Sequence, residues 1–497
     1  MKALLFKVVT IGIVLTLFTP LNAAATNGMN MEGYGPISCG MGGASMAFDN
    51  GSAAMMNNPA TLALMPPGSA RLDLALGMLG PNVNSSVRTP GGLFSANSDA
   101  DAFFMPALGF VKNNGKLTFG VAAFAQGGMG TEFGADSWMS DPSMGANSAL
   151  TAGLVNRTEV SMGRVLLPLT YRIDDQLSIG GSFDVLWAGM DLQMAMSEAQ
   201  FQDLVTTQSI GAASGSLVQG FGALYEPFGG AGVSTLHHAY FDFSNDNAFT
   251  GEARGYGVAG KLGMVYQFNN DLSVGATYHT RSAMSDMETE NAILSMGVKM
   301  DTGIASGGSP SGVYQDMNIP VSGSITVENF EWPETYGIGL AYRPTSSLLF
   351  AADVKRINWA AVMEDFTMTF EADAVAENGA FSDLALNTTL YQNWKNQTVV
   401  SLGGEFAPTL RLRLRAGVNL SENPVPSQFL NSLFPAIVSN HLAFGAGYRI
   451  ADRSVVNFSF FRAFEVTETN AGNGSTIPAV SSSHDQLNYS LMVTQEF

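Results

Sequence analysis

The side chains able to do chemistry are few and far apart. Histidines stand at His237, His238, His279, His441 and His484, and the single cysteine is Cys39. A metal centre needs three or four converging ligands. No such grouping is spaced along the chain, so neither a metal nor a cofactor is expected. His279 or His441 could in principle activate a serine, but no nucleophile motif accompanies either, and an enzyme is not expected. Gly255-Tyr256-Gly257-Val258-Ala259-Gly260 spells a dinucleotide fingerprint. That fingerprint requires a preceding strand and a helix opening on it; here it begins a strand, and the match is coincidental. Two groupings remain. Arg411, Arg413 and Arg415 recur at every second position, a cationic column that could steer a carboxylate or pair with Glu405. Met190, Met194 and Met196 supply thioethers, which adapt to variable apolar shapes.

Spacing by two belongs to strands, and strands are what the chain offers. Leu410, Leu412, Leu414, Ala416 and Val418 share one face of 410–420, and the three arginines share the other. Leu348, Phe350, Ala352 and Val354 alternate with Asp353 and Lys355 in the same way. Fourteen such segments are predicted, near 71–79, 102–112, 116–126, 156–172, 177–193, 256–268, 272–282, 335–343, 348–357, 398–407, 410–420, 441–449, 455–464 and 488–497. Tight links, such as Asn113-Asn114-Gly115 and Asn269-Asn270-Asp271, alternate with long ones through the whole series. That asymmetry, with an even strand number, is expected of an antiparallel outer-membrane barrel with short periplasmic turns and long external loops. An arginine facing lipid at mid-depth would cost about 2–4 kcal/mol, so the arginine column is expected inside.

Composition agrees. Only 13% of residues are charged, against about 25% in ordinary soluble domains. Lys2 and Lys7, the apolar run Val8 to Phe18 and Ala23-Ala24-Ala25 form an expected signal peptide over residues 1–25. Without it the 23 basic residues fall to 21 against 42 acidic ones, a net charge of −21, which argues against nucleic acid as a partner. Within residues 26–69, the stretch 33–66 is rich in small residues, glycine and methionine, has no sustained period, and could not fold alone. Residues 26–69 are expected to fill the lumen of a barrel formed by 70–497. Within the long link 194–255, Ser197-Glu198-Ala199-Gln200 fits a capping box. Phe201, Leu204 and Val205 follow at helical spacing, either as a substrate-collecting surface or as a helix packed on its own hairpin.

Several stretches carry a family resemblance: Asn58-Pro59-Ala60 in the leading segment, Met129-Gly130-Thr131-Glu132-Phe133, Trp332-Pro333-Glu334, and Glu422-Asn423-Pro424-Val425-Pro426-Ser427. In order and spacing the chain resembles the FadL/toluene-transporter (OmpP1/FadL/TodX) family of outer-membrane channels for hydrophobic compounds. The resemblance implies passive uptake of fatty acids, hydrocarbons or aromatics by a monomeric barrel. It implies an N-terminal hatch containing Asn58, Pro59 and Ala60. It also implies lateral exit into the bilayer at a kink in the third strand, here Phe124, Gln126, Gly127 and Gly128. Fatty-acid members hold the carboxylate with basic interior residues; the corresponding stretches 185–196 and 358–370 contain no Lys or Arg. Substrate contacts are expected from Phe201, Leu204, Met190, Met194, Arg411 and Arg413. Outer-membrane lipid, lipopolysaccharide and the barrel-assembly machinery are the expected partners besides substrate. The rival expectation is a surface adhesin or receptor whose long loops bind a partner.

Overall fold

The computed structural model describes residues 27–142, 153–245, 247 and 250–497; the expected signal peptide lies outside them. The wall is built from Ala70–Leu79 (β1), Phe103–Asn113 (β2), Leu117–Phe133 (β3), Asn156–Arg172 (β4), Leu177–Met196 (β5), Ala253–Gln267 (β6), Leu272–His279 (β7), Met287–Asp301 (β8), Tyr314–Glu328 (β9), Thr335–Thr345 (β10), Leu348–Ile357 (β11), Gln397–Phe406 (β12), Leu412–Ser421 (β13), His441–Ala451 (β14), Ser454–Asn470 (β15) and Val480–Glu496 (β16). Every pairing within this wall is antiparallel. Strands β1 to β7 pair in succession, β7 pairs with β10, and β10 to β16 continue in succession. Strand β16 then pairs with β1 and closes the barrel.

The hairpin β8–β9 joins this wall at Arg254 and Glu288. The closed ring among the described residues thus holds the fourteen strands expected, and this hairpin, outside the cyclic order, brings the long strands of the sheet to sixteen. The extra pair lies in the stretch 283–334 read from sequence as a loop. Its signal is legible in retrospect: Ala292, Leu294, Met296, Val298 and Met300 are buried at every second position. Other long links are also structured. The stretch 80–101 holds a hairpin, Pro81–Thr89 with Gly92–Asn97, and Val233–Phe243 bridges β5 to β8. Strands Asp365–Ala372, Ala385–Tyr391 and Gly211–Ser214 extend the sheet from β9. Long backbone segments outside the membrane need partners for their N–H and C=O groups, and here they find them in one another.

Lipid-facing and lumen-facing residues alternate as the pattern requires. Phe350 and Val354 are exposed on the outside while Asp353, between them, is 2% exposed. Leu414 points out and Arg415 is buried. Among the described residues no helix is long and apolar enough to cross a membrane.

Residues 27–65 are almost wholly buried. They contain one short helix, Gly35–Gly40 (α1), and two 3-10 turns, Gly51–Met55 and Pro59–Leu64. Strands all round the ring bond to this segment. Asp73 of β1 accepts from Ser52 N (2.7 Å), and Thr170 of β4 donates to Pro59 O (2.7 Å). Asp353 of β11 accepts from Ser45 N and Met46 N, and Asn419 of β13 donates to Gly42 O. Close approach is possible because the wall presents glycines there. A Cβ on Gly275 would lie 1.8 Å from Met46 O, and one on Gly263 would lie 2.0 Å from Asn58 Oδ1.

Candidate functional site

The wall is not sealed between β2 and β3. Their ladder runs from Asn113–Thr118 to Ala107–Phe124 and stops there. Beyond it β3 keeps only its other neighbour, β4, as far as Phe133–Asn156. The next residue of β2 is Pro106, which has no N–H to offer a ladder. On β3 the pairing with β4 skips Gln126, so Gln126 is a bulge residue. At the far end Asp99 N donates to Glu132 O, which bounds the gap. From sequence this strand is expected to end at 126, with 127–155 a loop. The strand instead continues to Phe133, because one ladder suffices to hold it.

A cavity of about 950 Å³ reaches the wall at this gap, within the usual size of small-molecule sites. Its lining joins the two edges, Phe103 to Ala107 on β2 and Gly127 to Glu132 on β3, to interior residues including Met29, Met162 and His484. The lining carries one guanidinium, Arg157. It is held at 3.1 Å by Glu159, 3.7 Å by Glu132 and 3.9 Å by Asp191. Arg157 is thus already matched by more than one carboxylate.

The leading segment is tied to the bulge. Gln126 Nε2 donates to Asn30 Oδ1 and to the Tyr34 hydroxyl (both 2.8 Å), and the Tyr34 hydroxyl donates to Gln126 O (2.6 Å). Trp332 Nε1 donates to the same Asn30 oxygen at 2.5 Å, and Asn30 forms a β-bridge with Gly127. A Cβ on Gly127 would meet Met29 O at 2.2 Å. Nearby, Glu32 lies 2.9 Å from His441. Burial pushes the Glu32 carboxyl up, but His441, the backbone and Lys355 outweigh it and hold it below its ordinary value. The Cys39 thiol is pushed up to about 12, by burial first and by Glu32, which leaves it unreactive.

The residues expected to form the site fall in five places. Phe124 lines the cavity, as do Gly127 and Gly128, and Gln126 lies behind them in the network just described. Asn58, Pro59 and Ala60 are buried; Asn58 Nδ2 donates to Met46 O (2.7 Å) and Met264 O (3.0 Å), and its Oδ1 accepts from Ala60 N. Phe201 and Leu204 line a separate apolar pocket of about 30 Å³ among the external strands, beside Phe221 and Met296. The capping box at Ser197 forms as read. Met190 and Met194 are buried in the core and do not line the large cavity. Arg411 and Arg413 are exposed, which corrects the expected interior column: only Arg415 is buried. Strand β13 begins at Leu412, so Arg411 sits in the turn, while Arg413 and Arg415 both pair with Glu405. From sequence Arg157 is not singled out, and His484 and Trp332 are named without a place at this site. Their roles depend on partners far along the chain.

The profile of the outer-membrane protein transport family (OMPP1/FadL/TodX) matches residues 12–492. The chain belongs to this family. Members of the FadL/TodX family are transport proteins, and the chain is accordingly an outer-membrane barrel of the transporter type for hydrophobic compounds, not an enzyme. The toluene transporter TodX of Pseudomonas putida is 25% identical, with a TM-score of 0.75 over 94% of this chain and 99% of that one. The toluene transporter TbuX of Ralstonia pickettii is 26% identical, with a TM-score of 0.70 over the same shares. A FadL homologue from Pseudomonas aeruginosa shares the fold at 14% identity and a TM-score of 0.63. A curated relative from Chlorobium limicola, an uncharacterized protein in the phosphoenolpyruvate carboxykinase gene 5′ region, is 48% identical over 62 residues. That match spans 12% of this chain and 30% of the relative.

Proposed function

We propose that the chain takes up neutral hydrophobic small molecules and releases them sideways into the bilayer through the opening beside β3. In this reading residues 26–69 are a hatch across the lumen of a monomeric channel that faces lipopolysaccharide and is inserted by the barrel-assembly machinery. The observation that carries the reading is the ladder ending at Ala107–Phe124 where the 950 Å³ cavity meets the wall. Lateral delivery also makes physical sense: returning an apolar molecule to water costs about 25 cal/mol per Å² of apolar area, and passage into lipid avoids that step. The charge pattern favours neutral cargo over carboxylates. Arg157 is already matched by Glu159, Glu132 and Asp191, and a buried carboxylate without a partner is costly. The names of TodX and TbuX, toluene transporters, support aromatic hydrocarbons as the class. No specific observation favours the adhesin alternative.

A thiol placed in the opening tests the route, since the native Cys39 is buried. Met129→Cys should transport toluene normally into outer-membrane vesicles until it is capped with a bulky maleimide. Capping should then abolish uptake, while capping of Leu340→Cys on the lipid face of β10 should not. Uninterrupted uptake with Met129→Cys capped would refute lateral exit.

A further inference from the structure

Of the buried side-chain nitrogens and oxygens left without a hydrogen-bond partner among the described residues, one belongs to the cavity lining: Nε2 of His484. The ring is 7% exposed. Strand β16 fixes its position, pairing His484 with Val83 on one side and Val466 on the other. On the other ring nitrogen, Nδ1 lies 2.9 Å from the carbonyl oxygen of Pro435. A carbonyl can only accept, so Nδ1 carries the hydrogen. In a neutral imidazole the remaining nitrogen is then a bare acceptor. The neighbouring Asp485 is engaged elsewhere, by Arg462 at 2.7 Å and by Asn82 at 2.7 Å. Nε2 has no donor among the described residues, and the cavity that His484 lines is where one can be supplied.

We infer that His484 is a specificity-determining residue: its Nε2 accepts a hydrogen bond from a neutral, hydroxyl-bearing apolar ligand, a phenol or an alcohol, in the cavity beside β3. This rests on the proposed function and narrows its substrate class. A purely hydrocarbon ligand leaves Nε2 unpaired; a hydroxyl-bearing one loses its water contact on entry and regains a partner there. A net hydrogen bond is worth about 1 kcal/mol, which converts to about fivefold in affinity.

The test uses the full chain in detergent micelles and titration calorimetry with p-cresol and p-xylene, which differ by a hydroxyl for a methyl. His484→Phe should weaken p-cresol by about five- to tenfold and leave p-xylene within about twofold. Retained p-xylene affinity also shows that the variant is folded. In the unaltered protein, 4-methylanisole keeps the oxygen but not its hydrogen, and it should bind about fivefold more weakly than p-cresol. If p-cresol and p-xylene shift together in the variant, or 4-methylanisole matches p-cresol, the inference is wrong and the channel reading stands. If none of the three binds the unaltered protein, the channel reading falls with it.

Discussion

Single residues hold this molecule at points that strand patterns do not reveal. Asp301, at the outer end of β8, is one. Its carboxylate accepts from Gly303 N (2.8 Å), Ser311 N (2.9 Å) and Gly312 N (2.6 Å), closing the loop 302–313. The backbone N–H of Ser311, then those of Ile304, Gly312 and Gly303, hold its carboxyl at about 2, below the ordinary 3.8. A depressed carboxyl lends stability that is present above its unfolded value and is lost as pH falls through the folded one. Amide exchange of 303–312, corrected for intrinsic rates, should therefore stay slow down to about pH 4 and accelerate toward pH 2. Asp301→Asn, with one acceptor oxygen in place of two, should exchange fast throughout. Asn58 is another. Asn58→Ala removes a helix cap and leaves the Met46 and Met264 carbonyls short of a donor, which should cost about 1–3 kcal/mol. The temperature at which folded and unfolded forms interchange on a gel reports the loss. Asn58 and His484 were not legible from sequence because each needs a distant partner, Met264 and Pro435, that only the fold brings near; Asp301 has its partners in its own loop, but their backbone N–H groups leave no mark in the residue pattern. The capping box at Ser197 was legible, since its partners lie within four residues.

Elements were far more readable than residues. Strands 156–172 and 348–357 occupy the predicted limits, because alternation between lipid and lumen is imposed residue by residue. Where a strand leaves the bilayer that constraint ends, and the external strands β8 and β9 were read as loop. The tail of β3 was missed for a related reason. Its Gly127-Gly128-Met129-Gly130 run has little side-chain pattern, and what identifies it is the ladder to β4. Glycines on the wall also mark where the leading segment docks. Gly275→Val should clash with the Met46 carbonyl and loosen residues 45–58. Faster proteolysis within that stretch, with the barrel itself still resistant, is the expected result; unchanged cleavage would mean the segment does not rely on that approach.

At the scale of the whole molecule, the ring of strands follows from a chain poor in charge and rich in glycine, with no helix among the described residues long and apolar enough to cross a membrane. The family's transport role follows from the match along nearly its full length. If residues 27–65 close the lumen, liposomes holding the intact protein should swell hardly at all in arabinose. A form lacking residues 30–64 that still runs as a heat-modifiable barrel should swell quickly. The seam where β1 meets β16 has a consequence for biogenesis. Ala70 N donates to Phe497 O and Phe497 N to Ala70 O, so the first staple of the wall is fastened to the last. The segment preceding β1 touches staves from nearly every part of the circumference. As the proposed hatch, it is expected to be in place before that seam zips shut, so that loading of the interior belongs early in assembly.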